Sequence, residues 1–149
     1  MKKPLINKLR LFDNLNSDTK QLWGKMSAQH MVEHLIFAVR ISNGKLNVGC
    51  FNPPEKWPVL KKFLMSSRPL PKEFLSPIIG ENLLPLDYEN LSAAKRMLTI
   101  EIEAYYNYFE ENPDGILLNP TFGELNKVEW DIFHEKHFTH YLAQFGITS

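Results

Sequence analysis

The chain has 149 residues, the size of one ordinary domain, and its 44% apolar and 23% charged content suits a globular protein. Seventeen basic residues balance seventeen acidic ones, so no net field favours nucleic acid or an anionic membrane. Cys50 is the only cysteine, which excludes an internal disulfide and a cysteine-rich metal site and makes a reducing cytoplasm the expected setting.

The opening, MKKPLINKLRLFDNL, has basic residues but no uninterrupted apolar stretch, so it does not read as a secretory signal. Leu5 to Leu15 reads as a short first helix. From 28 to 42, Met31, Val32, Leu35, Ile36, Ala38 and Val39 recur at three- and four-residue spacing, as a half-buried helix requires. Ser27 is placed to cap its start and Asn43-Gly44 to end it.

Between Lys45 and Asn90 lie seven of the ten prolines, which rule out a long helix there. A short one fits Val59 to Met65. The apolar residues of this crossover (Trp57, Phe63, Phe74, Ile78, Ile79) predict that it packs on the protein, and Trp57, Phe63 or Phe74 are candidates to line an entrance. Its basic residues, Lys56, Lys61, Lys62, Arg68 and Lys72, suit either a carboxylate or thiol cofactor or a solvated face.

A long helix follows from about 91 to 111, with Asn90 or Ser92 before it and Pro113-Asp114-Gly115 after it. The last runs from about 127 to 145 and stops at Gly146. No strand pattern competes, and no 20-residue apolar run could cross a bilayer. The expected fold is all-α: one domain over 1–149, a four-helix bundle with a long proline-rich crossover after the second helix.

All five histidines lie on two of these helices. His30 and His34 are four apart and share a face. His134, His137 and His140 are spaced by three, so the outer two diverge by about 120° and one straight helix cannot aim all three at one ion. His137 lies between Phe133 and Tyr141 on an apolar stripe and is expected inward. His134, beside Asp131, Glu135 and Lys136, is expected near solvent. Neutral imidazoles suit zinc, nickel, copper and iron. The competing reading makes each histidine a hydrogen-bonded boundary residue.

Two segments, WGKMSAQHMVEHL (23–35) and NPTFGELNKVEWDIFHEKHFTHYLAQFG (119–146), resemble the DinB-like (DinB/YfiT) superfamily, in a poorly characterised branch. The resemblance rests on Trp23-Gly24-Lys25-Met26, Met31-Val32-Glu33-His34-Leu35, Pro120-Thr121-Phe122-Gly123, His137 and Gln144-Phe145-Gly146. It implies a four-helix bundle with a three-histidine site for a divalent metal, nickel or zinc. His34 and His137 match two ligand positions. The third falls on Tyr141, where the family pattern has histidine. His140, one residue earlier, is the expected replacement, with His30 as a substitute and Tyr141 adjacent to the ion.

Two functions of different class follow. The first is a metal-dependent transferase, isomerase or hydrolase acting on a small molecule, with a low-molecular-weight thiol as partner, no nucleic acid, no membrane, and a homodimer as an allowed assembly. The second is a non-catalytic helical domain, binding a ligand or partner, whose metal site has degenerated at Tyr141. Glu33, Glu101 or Glu103 could orient a histidine acting as a base. Cys50 reads as an inert thiol. Gly24 and Gly123, each following an aromatic, read as tight turns.

Overall fold

The computed structural model describes residues 3–70 and 83–148. Among them the chain is predominantly helical, with one small sheet. Helix α1 (Pro4–Lys8) runs into a 3-10 segment at Leu9–Asn14. Helix α2 spans Ala28–Ser42, α3 Trp57–Met65, α4 Leu91–Glu111 and α5 Lys127–Gln144. Strands β1 (Leu117–Asn119) and β2 (Gly123–Leu125) form an antiparallel hairpin between α4 and α5. The hairpin was not expected: three residues per strand are too few for alternation to register in the sequence.

Each long helix starts at a side-chain cap. The Ser27 hydroxyl accepts from the His30 amide at 3.2 Å. Asn90 accepts from Ala93 N–H at 2.9 Å. Asn126 and Glu129 form a reciprocal capping box, each side chain accepting from the other's amide at 2.9 Å. At the far end of α5, the Ile147 amide donates to Leu142 O and the Gly146 amide to Ala143 O, which closes the helix and turns the chain away.

Helix α2 is the central element. It packs along α4, meets α5 on another side and touches β1. Met31, Val32, Leu35 and Val39 have no exposed surface. From α4 they meet a core that includes Leu98 and Ile102, and from α5 one that includes Trp130 and Phe138. Helix α1 bridges α4 and α5, with the Leu5 amide donating to the Tyr106 hydroxyl at 3.0 Å. Apolar burial of this kind, roughly 1.5–3 kcal/mol per large side chain, is the main stabilising term.

The crossover is fastened at three points. Helix α3 lies on α5, where the Lys136 ammonium donates to the carbonyls of Ser66 (2.8 Å) and Arg68 (2.6 Å) just past the end of α3. A cation there also favours the negative end of that helix's dipole. Trp57 packs against the hairpin and donates to Asn52 O at 2.9 Å. Where the described chain returns, residues 87 and 88 are held on α2 by Glu33. Phe74, Ile78 and Ile79 lie outside the described residues.

The two family-like segments meet in space. The Gln144 side chain donates to Trp23 O at 2.7 Å, and the Leu22 amide donates to Gln144 O at 2.6 Å. Gly24 has φ +81°, and a Cβ there would stand 2.4 Å from Gln144 Nε2. Gly123 has φ +83°, and its Cβ would stand 2.2 Å from the Trp57 indole. Both positions therefore need glycine for conformation and for space.

Gly123→Ala is accordingly expected to destabilise the protein by about 2–4 kcal/mol, combining left-handed strain with overpacking against a ring that cannot swing clear. Urea denaturation measures this. An unchanged midpoint would mean that Trp57 does not bear on the hairpin.

Candidate functional site

The periodicity of α2 points His34 into the seam with α5, and His137 meets it from the other side. The two Nε2 atoms are 3.0 Å apart, and the ring centroids are 4.9 Å apart. His34 is 5% exposed and His137 2%. The Tyr141 ring completes the group, with centroids 4.9 Å from His34 and 5.0 Å from His137. Phe133 lies against the His137 ring. The expectation that His34 and His137 face one another agrees with this geometry.

His134 does not point to solvent. It has no exposed surface and sits among Trp130, Tyr105 and Phe138. Its Nε2 lies 2.7 Å from the Ser42 hydroxyl, which itself donates to Val39 O at 2.8 Å. Because that hydroxyl's proton is committed, it accepts from His134, which must be the Nε2–H tautomer. His134 is thus a structural tie between α5 and the end of α2.

His30 is also committed. Its Nδ1 lies 2.7 Å from the Ser27 hydroxyl and 3.4 Å from the Ser27 amide, in a capping arrangement. His140 is 8% exposed, with the Tyr141 ring on one side and Trp23 on another. It is near enough for its charge to oppose protonation of His34 and His137.

Burial decides the charge of the group. It pushes His34 and His134 down to about 3, with His140 adding to the effect on His34. His137 is held well below its ordinary value by burial, then by its histidine neighbours. Burial raises the Tyr141 phenol above its usual range. At neutral pH the site is therefore three uncharged imidazoles and one phenol.

In a neutral His34–His137 pair one Nε2–H donates to the other Nε2, so the accepting ring must carry its only proton on Nδ1. Neither Nδ1 has a hydrogen-bond partner among the described residues, and nor has Nδ1 of His134. A buried N–H without an acceptor costs roughly 1–3 kcal/mol.

The pair fits half of a divalent-metal site. Two imidazole nitrogens bound to one tetrahedral ion stand about 3.3 Å apart, close to the separation here. The third donor is not in place: among the described residues no group of three or more histidine, cysteine, aspartate or glutamate side chains is arranged to hold an ion. Metal-bound imidazoles also ordinarily donate their second N–H to an acceptor, which neither ring has.

A cleft opens beside His34, with about 50 Å³ of room for a water-sized molecule. Met26 and Phe37 line its inner side, and Leu83, Leu84 and Leu86 its outer wall. His30, Glu33 and Asp87 supply its polar edge. Glu33 holds the outer wall in place: its carboxylate accepts from the amides of Asp87 (2.7 Å) and Tyr88 (3.2 Å) and from Gln29 Nε2 (2.8 Å).

Glu33 therefore engages the returning chain and does not orient a histidine. Glu101 likewise binds Lys45 and Asn43, at 2.7 and 3.0 Å. Trp57 lines shallow surface grooves with Ile116 and Glu124, and Phe63 lies beneath the Lys136 ammonium. The entrance next to His34 is built from 83–87 instead, a wall missed because LLPLD has no periodic pattern. Among the described residues no crossover cation lines it, and Lys61 pairs with Glu129 at 3.4 Å.

Because the folded-state histidine values lie below the unfolded value near 6.5, the unfolded chain binds more protons at acid pH. Stability is intact above about pH 6.5 and should fall towards pH 3, by roughly 1.4 kcal/mol per pH unit for each of His34 and His134. Denaturant midpoints measured from pH 7.5 to 4.5 check this, and His134→Phe should flatten the slope. A midpoint independent of pH over that range would contradict the buried neutral histidines. Comparison of the chain with protein families, with curated proteins and with solved structures found no significant match.

Proposed function

We propose that the chain is a metal-binding helical protein of the DinB-like kind, with His34 and His137 as two ligands of one divalent ion, nickel or zinc. In this reading α1, α2, α4 and α5 are the four helices of the bundle, and α3 belongs to its crossover. The observation that carries it is the 3.0 Å approach of two buried, uncharged Nε2 atoms beside an open cleft. His140 supplies the third imidazole by a side-chain rotation, and Tyr141 remains as a wall.

The reaction class is transfer, isomerisation or hydrolysis on a small molecule. A bound ion would supply Lewis acidity, ionising a thiol or water near neutral pH. The chain's own contribution is to keep the imidazoles unprotonated through burial, to exclude bulk water with Phe133 and Tyr141, and to hold an entrance open through the Glu33 clamp.

A second reading has a specific observation behind it. The unpartnered Nδ1 atoms and the tyrosine at 141 favour a helical binding domain in which His34 and His137 merely share a proton.

Titration of chelator-treated, tag-free protein with nickel or zinc separates the two. The metal reading expects one equivalent bound, a loss of about a hundredfold in affinity for His34→Ala and His137→Ala, and release on acidification. Tyr141→His should tighten binding by about tenfold or more by placing an imidazole against the pair without the rotation that His140 needs. Absence of binding by the natural protein, with binding gained in Tyr141→His, would establish the second reading.

A further inference from the structure

The cleft beside His34 has a composition that bears on what it can admit. Its walls are apolar, from Met26 and Phe37 on one side and Leu83, Leu84 and Leu86 on the other. Among the described residues its charged lining is Glu33 and Asp87, without a lysine or arginine. His34, 5% exposed, forms part of its lining and has an Nδ1 without a partner among the described residues.

We propose that this cleft binds a compact, uncharged, largely apolar molecule and selects against anionic ligands. This rests on the site assigned above and names its substrate class. The three leucines at the outer wall are between 37% and 45% exposed, so the cleft mouth offers apolar surface that a small alkyl group would cover.

Charge provides the selection. The Glu33 carboxylate is occupied by three N–H donors, so it is fixed in place at the edge of the cleft. Asp87 contributes its amide to that clamp, while its residue lies exposed along the entrance. An entering carboxylate would stand beside two like charges and meet no cation to offset its lost hydration. The basic residues of the crossover that the structure describes do not change this, and Lys72 lies outside the described residues. Lys61 is paired with Glu129, and Lys56, Lys62 and Arg68 are exposed and contribute nothing to the cleft. Selection of this kind works by a repulsive element as much as by attraction.

The test uses the full chain, metal-free, with methyl NMR signals of Met26, Leu84 and Leu86 as reporters. Three probes of similar size are titrated: 1-butanethiol, 3-mercaptopropionate and 2-aminoethanethiol. The expected result is that 1-butanethiol shifts the cleft methyls and 3-mercaptopropionate binds at least about tenfold more weakly. Asp87→Asn, which leaves the backbone clamp intact, should narrow that gap to about threefold or less.

Equal or tighter binding of 3-mercaptopropionate would overturn the proposal. So would an unchanged gap in Asp87→Asn, tightest binding by the cationic probe, or no shift at the cleft with 1-butanethiol. Since the probes are read without metal, the outcome is independent of the nickel and zinc titration. A protein that binds no ion can still pass this test, and one that binds an ion can fail it.

Discussion

Three imidazoles that must stay uncharged are packed into the seam between α2 and α5, and the rest of the molecule is organised around that constraint. His34 and His137 meet at 3.0 Å, while His134 donates to Ser42 a few residues further along α2. Two contacts therefore join the same pair of helices, both made by rings that burial holds unprotonated. Protonating any of them would place a charge where no carboxylate accepts it. Carboxylates are instead spent elsewhere: Glu101 on Lys45 and Asn43, Asp131 on Lys127 and Tyr105, Glu33 on the backbone at 87–88. The proposed function and the stability thus rest on the same neutral group.

The segments that carry the resemblance act mainly through architecture. Trp23-Gly24 and Gln144 lock the loop before α2 onto the end of α5, which fixes the relative position of the helices that bear His34 and His137. The Asn119 side chain accepts from the amides of Thr121 and Phe122 and so shapes the turn that leads into β2 and α5. Gly123 lets Trp57 approach that turn, and the hairpin in turn sets where α5 starts. The histidine pair is a consequence of these fastenings, since neither ring makes another side-chain hydrogen bond that would hold it.

Much of this was legible in the residues, and the failures have identifiable causes. The bounds of α2 and α4 follow from Ser27 and Asn90 and from the apolar spacing that each cap introduces, whereas α5 was placed by its apolar residues and Gly146, its cap at Asn126 emerging only in the structure. The facing of His34 and His137 was expected from the positions that both take in the resemblance and from the place of His137 on an apolar stripe. His134 was misread because its chain neighbours Asp131, Glu135 and Lys136 were weighed. On a helix its spatial neighbours are Trp130, His137 and Phe138, all buried. The hairpin is too short to show alternation. The cleft wall at 83–87 comes from tertiary contact with Glu33, 54 residues before Asp87, and only the folded chain reveals it.

The most direct measurement of the central claim is a long-range proton–nitrogen spectrum of the imidazole rings at pH 7, without and with one equivalent of zinc. The account predicts no imidazolium at His34, His134 or His137. His134 should be the Nε2–H tautomer throughout, and His34 and His137 complementary tautomers without metal. Zinc should convert both members of the pair to Nδ1–H. A charged ring at any of the three positions at pH 7, or a His34–His137 pair whose tautomers ignore zinc, would contradict it.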